Sequence, residues 1–240
     1  MNMIPLLSTL ISFAFTVAVF QRYLVRKGPH LLMWSIGLLL YGVGTLSEVL
    51  LSLAFSPVVL KLWYLCGAML TAAWLGMGTI HLLVRRGRIA WGITAGLGVI
   101  SLASLALVLA APLTPAAGSY QTSLAISAQY KDILVRTGAV IALTIVLNIF
   151  GTVGMVGGAI YSAYLFWRKQ VMLNRVLGNV LIAAGALMPA MAGSFVKAGL
   201  ADVLYISELL GAILMFAGFW LSTQKQKAAV QVPQRAESPN

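Results

Sequence analysis

Seven long apolar stretches follow one another along the chain, at roughly 3–21, 31–54, 58–84, 89–111, 137–166, 174–197 and 202–222. Each reaches the ~20 residues that a helix needs to cross the hydrocarbon core of a bilayer. The pattern predicts an all-α integral membrane protein, a bundle of seven transmembrane helices filling residues 1–222. The longest connection, residues 112–136, divides in two. Its first part, PLTPAAGS, is turn punctuation. Its second part, SLAISAQYKDILVRTG, sets Leu124, Ile126, Tyr130, Ile133 and Leu134 close to one helical stripe. That stripe predicts a short amphipathic helix, lying on the bilayer or closing over one end of the bundle. Residues 223–240 are polar, hold two prolines and lack apolar periodicity, and are expected to be a disordered cytoplasmic tail.

The cations give these spans a direction. Arg22, Arg26, Lys27, Arg85, Arg86, Arg88, Arg168, Lys169, Arg175, Lys225, Lys227 and Arg235 fall in alternate gaps and the tail. The opposite side holds only Lys61, Lys131, Arg136 and Lys197. Twelve against four is the positive-inside pattern, with the N-terminus outside and the C-terminus in the cytoplasm of a bacterial inner membrane. No cation precedes the first apolar run and three follow it, so that run reads as a retained helix rather than a cleaved signal. With 60% hydrophobic and 9% charged residues, an ordinary soluble domain is excluded. The net charge of +11 is then an attraction for anionic lipid headgroups, and nucleic acid is not expected as a partner. The single cysteine, Cys66, leaves no intrachain disulfide.

Trp34, Trp91, Trp167 and Trp220 fall at the basic ends of predicted helices two, four, five and seven, where an interfacial aromatic belt belongs. Gly92 and Gly96 in the fourth helix, and Gly151, Gly154, Gly157 and Gly158 in the fifth, permit close helix approach. The pair Gly154 and Gly158 fits intrachain packing better than a homodimer interface. Pro189 is expected to kink the sixth helix and free a carbonyl near the middle of the bundle.

Chemistry has few residues to work with. The five acids are Glu48, Asp132, Asp202, Glu208 and Glu237. Glu48 lies about six residues before the outer end of the second helix, and Glu208 about six residues after the outer start of the seventh. At about 1.5 Å per residue both stand ~9 Å below the surface, at one depth. Intramembrane acids face the bundle interior and are candidates for function. Trp63, Tyr64, Tyr205 and Lys197 fall near the same level, and Asn148 nearer the midplane. Together they describe an outward pocket framed by helices two, three, six and seven, suited to a cationic or hydrogen-bonding ligand. The alternative is that both glutamates are structural, bonded to groups that fix helix packing. His30 and His81 lie toward the basic side without acid or cysteine partners, which argues against haem or zinc. No nucleophile elbow, phosphate loop or mid-helix Schiff-base lysine is visible, so neither enzyme nor cofactor is expected.

The run Trp34-x-x-Gly37-x-x-x-Tyr41 leading to Glu48, followed by Leu62-Trp63-Tyr64-x-x-Gly67 and Trp74, resembles the seven-helix N-terminal sensor region of bacterial histidine kinases. In layout the similarity covers residues 1–225, and in matching residues about 30–75. The resemblance implies sensing of a small ligand or of membrane state outside, with helix movement relayed inward, and it carries over to Glu48, Trp63 and Tyr64. No dimerisation helix, phosphoacceptor histidine or ATP-binding domain follows the seventh run, so signalling is expected to pass to a separate cytoplasmic or membrane partner. The readings that remain beside this receptor-like sensor are a small-solute or proton-coupled carrier and an accessory subunit of a membrane complex. The carrier requires a polar path past Asn148 toward His81.

Overall fold

The computed structural model describes residues 3–84, 87–168, 173–197 and 202–224; the side chains of residues 166, 173, 175, 189–197 and 202 fall outside that description. Within it the apolar runs are helices: α1 (Met3–Arg26), α2 (Pro29–Leu53), α3 (Pro57–Leu83) and α4 (Gly87–Ala110). The short α5 (Ile126–Ile133) follows. Next comes α6, made of consecutive helical segments Gly138–Thr152, Val153–Gly157 and Gly158–Arg168, and then α7 (Leu173–Lys197) and α8 (Asp202–Thr223). Six of these, all but α5 and α7, are long and apolar enough to cross a membrane. The seventh run is also a helix, of 25 residues. No strand forms among the described residues beyond one isolated bridge between Leu113 and Leu134.

Local chemistry accounts for the breaks. Lys27, at φ 52°, turns the chain between α1 and α2, and Pro29 supplies a first-turn residue that needs no N–H partner. Ser56 caps α3 by accepting from Val59 N–H, with Pro57 behind it. Thr137 caps α6 in the same way, accepting from Val140 N–H. Residues Trp63–Leu70 of α3 are wound as a π-helix, and Val153–Gly157 of α6 likewise. The wider turn leaves carbonyls to be satisfied from the side. Thr71 Oγ1 donates to Cys66 O at 2.7 Å, and Asn148 Nδ2 donates from α6 to Ala68 O at 2.8 Å.

Helices α3 and α6 meet backbone to backbone. A Cβ on Gly151 would stand 2.1 Å from the Ala72 carbonyl carbon, Gly154 faces Gly76, and Gly158 sits against Thr79. The Gly154 and Gly158 face is therefore spent inside the chain. Helices α7 and α8 cross as closely, at Gly178 with Gly218 and Gly185 with Gly211. Helix α4 departs from expectation. It buries only the stripe Ala90, Thr94, Leu97, Ser104 and Val108, and nothing lies within 4 Å of a Cβ on Gly92 or Gly96. Among the described residues, those glycines therefore bring no helix close.

Trp91, Trp167 and Trp220 are each more than half exposed on the protein surface, as side chains of a belt would be. Trp34 does not join it. Its ring lies over Gly78 and meets His30 edge-on at 5.4 Å, so it packs within the bundle. Helix α7 continues through Pro189, whose side chain is outside the described residues. The tail beyond 224 is outside them as well.

The predicted amphipathic helix is α5. Ile126, Ile133 and Leu134 are buried, Tyr130 is half-buried, and Leu124 is exposed rather than on the buried stripe. The connection folds over the bundle end as a strap. Thr114 N–H donates to Ile133 O and Val135 N–H to Pro112 O, tying its two arms together. Gln129 clamps the tip, accepting from Gln121 N–H and donating to Gln121 O and Leu124 O.

Candidate functional site

Two intramembrane acids meet beneath this strap. Glu48 on α2 is only 2% exposed, and its Oε1 accepts from Trp63 Nε1 on α3 at 2.8 Å. The carboxyl of Glu208 on α8 lies within hydrogen-bonding reach of the Glu48 carboxyl. Glu208 as a residue is half-buried, but its Oε2 is out of contact with solvent, as is Glu48 Oε2. Neither of these two oxygens has an N–H or O–H donor from any other described group. The equal depth expected of the two acids becomes direct contact.

Helix packing brings them together. Thr9 on α1 donates to Thr45 on α2 at 3.1 Å, and Tyr41 OH crosses from α2 to the backbone carbonyl of Glu208 at 2.7 Å. Tyr41 and Glu48 are seven residues apart, two turns, and so share a face. One tyrosine thus holds the start of α8 against α2 at the height where Glu208 faces Glu48.

Above the pair is a cavity of about 300 Å³ lined by Pro5, Glu48, Ser52, Tyr120, Tyr205 and residues 122–126 of the strap. That is the lower end of the range for small-molecule sites. Three contacts tie the strap to its walls. Tyr120 OH donates to Leu51 O at 3.0 Å, Tyr205 is hydrogen-bonded to the backbone of Ile126, and Tyr130 meets Trp63 edge-on at 5.1 Å. The Arg136 guanidinium lies 5.0 Å from the Tyr130 ring centre, a cation–π contact. Burial pushes the Tyr120 and Tyr130 phenols up, Arg136 offsetting part of this for Tyr130, so both remain neutral donors.

The sequence-predicted residues divide clearly. Glu48, Glu208, Trp63 and Tyr205 come together, with Trp63 behind Glu48 rather than on the cavity wall. Tyr64 does not join them: its hydroxyl pairs with Thr144 on α6 at 3.0 Å, on another side of α3. Depth alone places both residues at this level, but consecutive helix residues point about 100° apart, so the two do not share a wall. Lys197 ends α7, and its side chain lies outside the described residues. The frame also differs from expectation. Among the described residues, α1, α2, α8 and the strap line the cavity, while α3 only backs it.

Asn148 is spent on Ala68 O and Thr144 O. His81 pairs with Thr94 at 2.8 Å, and His30 packs on Trp34, both far from the acids along their helices. The residues missed were Pro5, Tyr41, Ser52 and Tyr120. Only Tyr41 carried a signal, its two-turn spacing from Glu48. No family description, curated protein or solved structure matches this chain.

Proposed function

We propose that the chain is a seven-span, receptor-like protein of a bacterial cytoplasmic membrane that binds a small cationic or hydrogen-bonding ligand beneath the strap and signals through a separate partner, without catalysis. The observation that carries this reading is Glu48, almost fully buried and lining the cavity, with no donor to its Oε2 from any described residue outside its pair with Glu208. Burying a carboxyl without a donor costs several kcal/mol, a loss that a ligand cation offsets. The strap touches Trp63, Tyr205 and α2, so occupancy of the cavity bears on three helices together. The N-out, C-in orientation rests on the twelve-to-four division of Lys and Arg.

A carrier would use the same acids, but the groups below them favour a blind pocket. Leu38, Met69 and Met77 are at most 2% exposed, and Asn148 is already bonded. The cavity in the other half of the bundle is small, about 40 Å³, and is walled mainly by apolar side chains such as Phe15, Leu38, Met155 and Phe219. The accessory-subunit reading draws on α4, where nothing among the described residues lies within 4 Å of a Cβ on Gly92 or Gly96.

The test is thermal unfolding of the detergent-purified chain across a panel of small amines, metabolites and lipids, beside a Glu48→Gln, Glu208→Gln double variant. A ligand at about 100 times its dissociation constant should add roughly 2.7 kcal/mol. Stabilisation that disappears in the double variant supports the pocket. A panel without effect, on a double variant as stable as its parent, makes the acids structural and moves the assignment to an accessory subunit.

A further inference from the structure

The charge of the carboxyl pair specifies the charge of what it binds. Two carboxyls in hydrogen-bond contact need a proton on one of them, because a carboxylate only accepts. The groups around the pair decide where that proton resides. From α3, the Trp63 N–H points at Glu48 Oε1 and favours negative charge there. From α2, Tyr41 donates to the Glu208 backbone, not to its carboxyl. From the strap, Tyr120 donates to Leu51 O; from α8, the Tyr205 oxygen accepts from the Ile126 backbone, so its O–H is not spent there and favours negative charge at neighbouring Glu48. The described cations at this end are turned elsewhere: Lys61 donates to Leu109 O, while Lys131 and Arg136 lie over Tyr130. Glu48 is then the carboxylate and Glu208 the acid, and the pair carries a single negative charge.

We propose that the cavity takes a small primary monoamine, its ammonium resting on the Glu48 carboxylate that lines the cavity, while Glu208 behind it keeps the proton of the pair. This inference rests on the reading of the cavity as a ligand pocket. One ammonium neutralises the pair, whereas a diamine or divalent metal ion balances its charge only by expelling the proton. A calcium or magnesium ion also demands six or more oxygen ligands. Here, among the described residues, Glu48 is the single carboxylate on the wall, beside the neutral hydroxyls of Ser52, Thr122, Ser123 and two tyrosines and the apolar Pro5, Leu124 and Ile126. The volume, about 300 Å³, holds roughly ten water-sized groups, enough for an amine with a short apolar body.

The experiment is calorimetric titration of the full chain in detergent with n-alkylamines from methylamine to hexylamine, with 1,3-diaminopropane and with calcium, at pH 7 in two buffers of different ionisation enthalpy. Glutamine mimics the protonated acid, so Glu208→Gln should bind the best monoamine within about threefold of the parent. Glu48→Gln should weaken it at least ~10-fold by removing the favoured charge, and the double variant should not bind. In the parent the two buffers should give the same heat, with no net proton exchange, which tests the inference even where a variant does not fold. Loss of monoamine binding in Glu208→Gln equal to that in the double variant overturns the inference and leaves the pocket standing. Preference for the diamine or calcium with release of one proton does the same. If no monoamine binds the parent, and the double variant melts with it, both the inference and the pocket reading fall.

Discussion

A Cβ on Gly44 would stand 2.7 Å from the Cα of Gly67, so α2 and α3 touch backbone to backbone at these two residues. About one turn along each helix toward the strap, Glu48 and Trp63 meet through their 2.8 Å hydrogen bond. The glycine contact sets how far apart the helices stand, and hence whether the indole N–H reaches the carboxylate.

That contact is unequal when seen from its two sides. Gly44→Ala places a methyl against backbone that cannot move aside, and should cost about 1–3 kcal/mol as overpacking does. A Cβ on Gly67 comes no closer than 3.4 Å to Gly44, an ordinary contact, so Gly67→Ala should be near neutral. Thermal unfolding of the two variants in one detergent checks the asymmetry. Equal losses would mean that the helix spacing at this level is set elsewhere.

Trp63→Phe keeps an aromatic ring against Tyr130 but deletes the donor to Glu48. A hydrogen bond to a buried charge contributes roughly 1.5–3 kcal/mol, and the variant should lose about that much stability. Trp91→Phe, on the exposed face of α4, is the control and should change stability by no more than about 0.5 kcal/mol. A parent-like Trp63→Phe would show that Glu48 is neutral in the folded protein.

What the sequence could convey follows from the dimension of each signal. A run of twenty apolar residues is a one-dimensional pattern, and the helices lie within a few residues of where it puts them. Depth along a helix is also one-dimensional, which is why the sequence alone matches Glu48 with Glu208. Facing is harder. Membrane helices are apolar all round, so depth must stand in for periodicity, and depth cannot separate the neighbours Trp63 and Tyr64, of which only Trp63 reaches Glu48. Pro5 and Tyr120 line the cavity because α1 and the strap happen to pack there, a tertiary fact with no local trace. The glycines of α4 and α6 look alike in sequence, yet among the described residues Gly151, Gly154 and Gly158 of α6 have α3 opposite them, while Gly157 of α6 and Gly92 and Gly96 of α4 have nothing within 4 Å.

Asn148 separates a blind pocket from a conducting path. Its amide closes the π-wound part of α3 by bonding Ala68 O, and it also bonds Thr144 O. Asn148→Leu should cost about 1 kcal/mol, the usual scale for such bonds within a bilayer. It should leave the amine response of the cavity unchanged, as read by thermal shift. If the variant instead abolished uptake of an amine into proteoliposomes while preserving stability, the carrier reading would replace the receptor.

The strap offers a probe of orientation and of occupancy together. Cys66 is buried in α3 and should be silent toward a membrane-impermeant maleimide, so single cysteines added elsewhere report their own exposure. Ser123 is exposed at the strap tip and lines the cavity, while Arg88 is exposed at the opposite end, at the start of α4. In intact cells Ser123→Cys should be labelled, and Arg88→Cys only after the membrane is permeabilised. The reverse pattern would invert the topology. A bound amine should then slow labelling at Ser123→Cys without affecting Arg88→Cys, because only the first lies on the cavity wall. Unchanged labelling with saturating amine would place the amine outside the cavity.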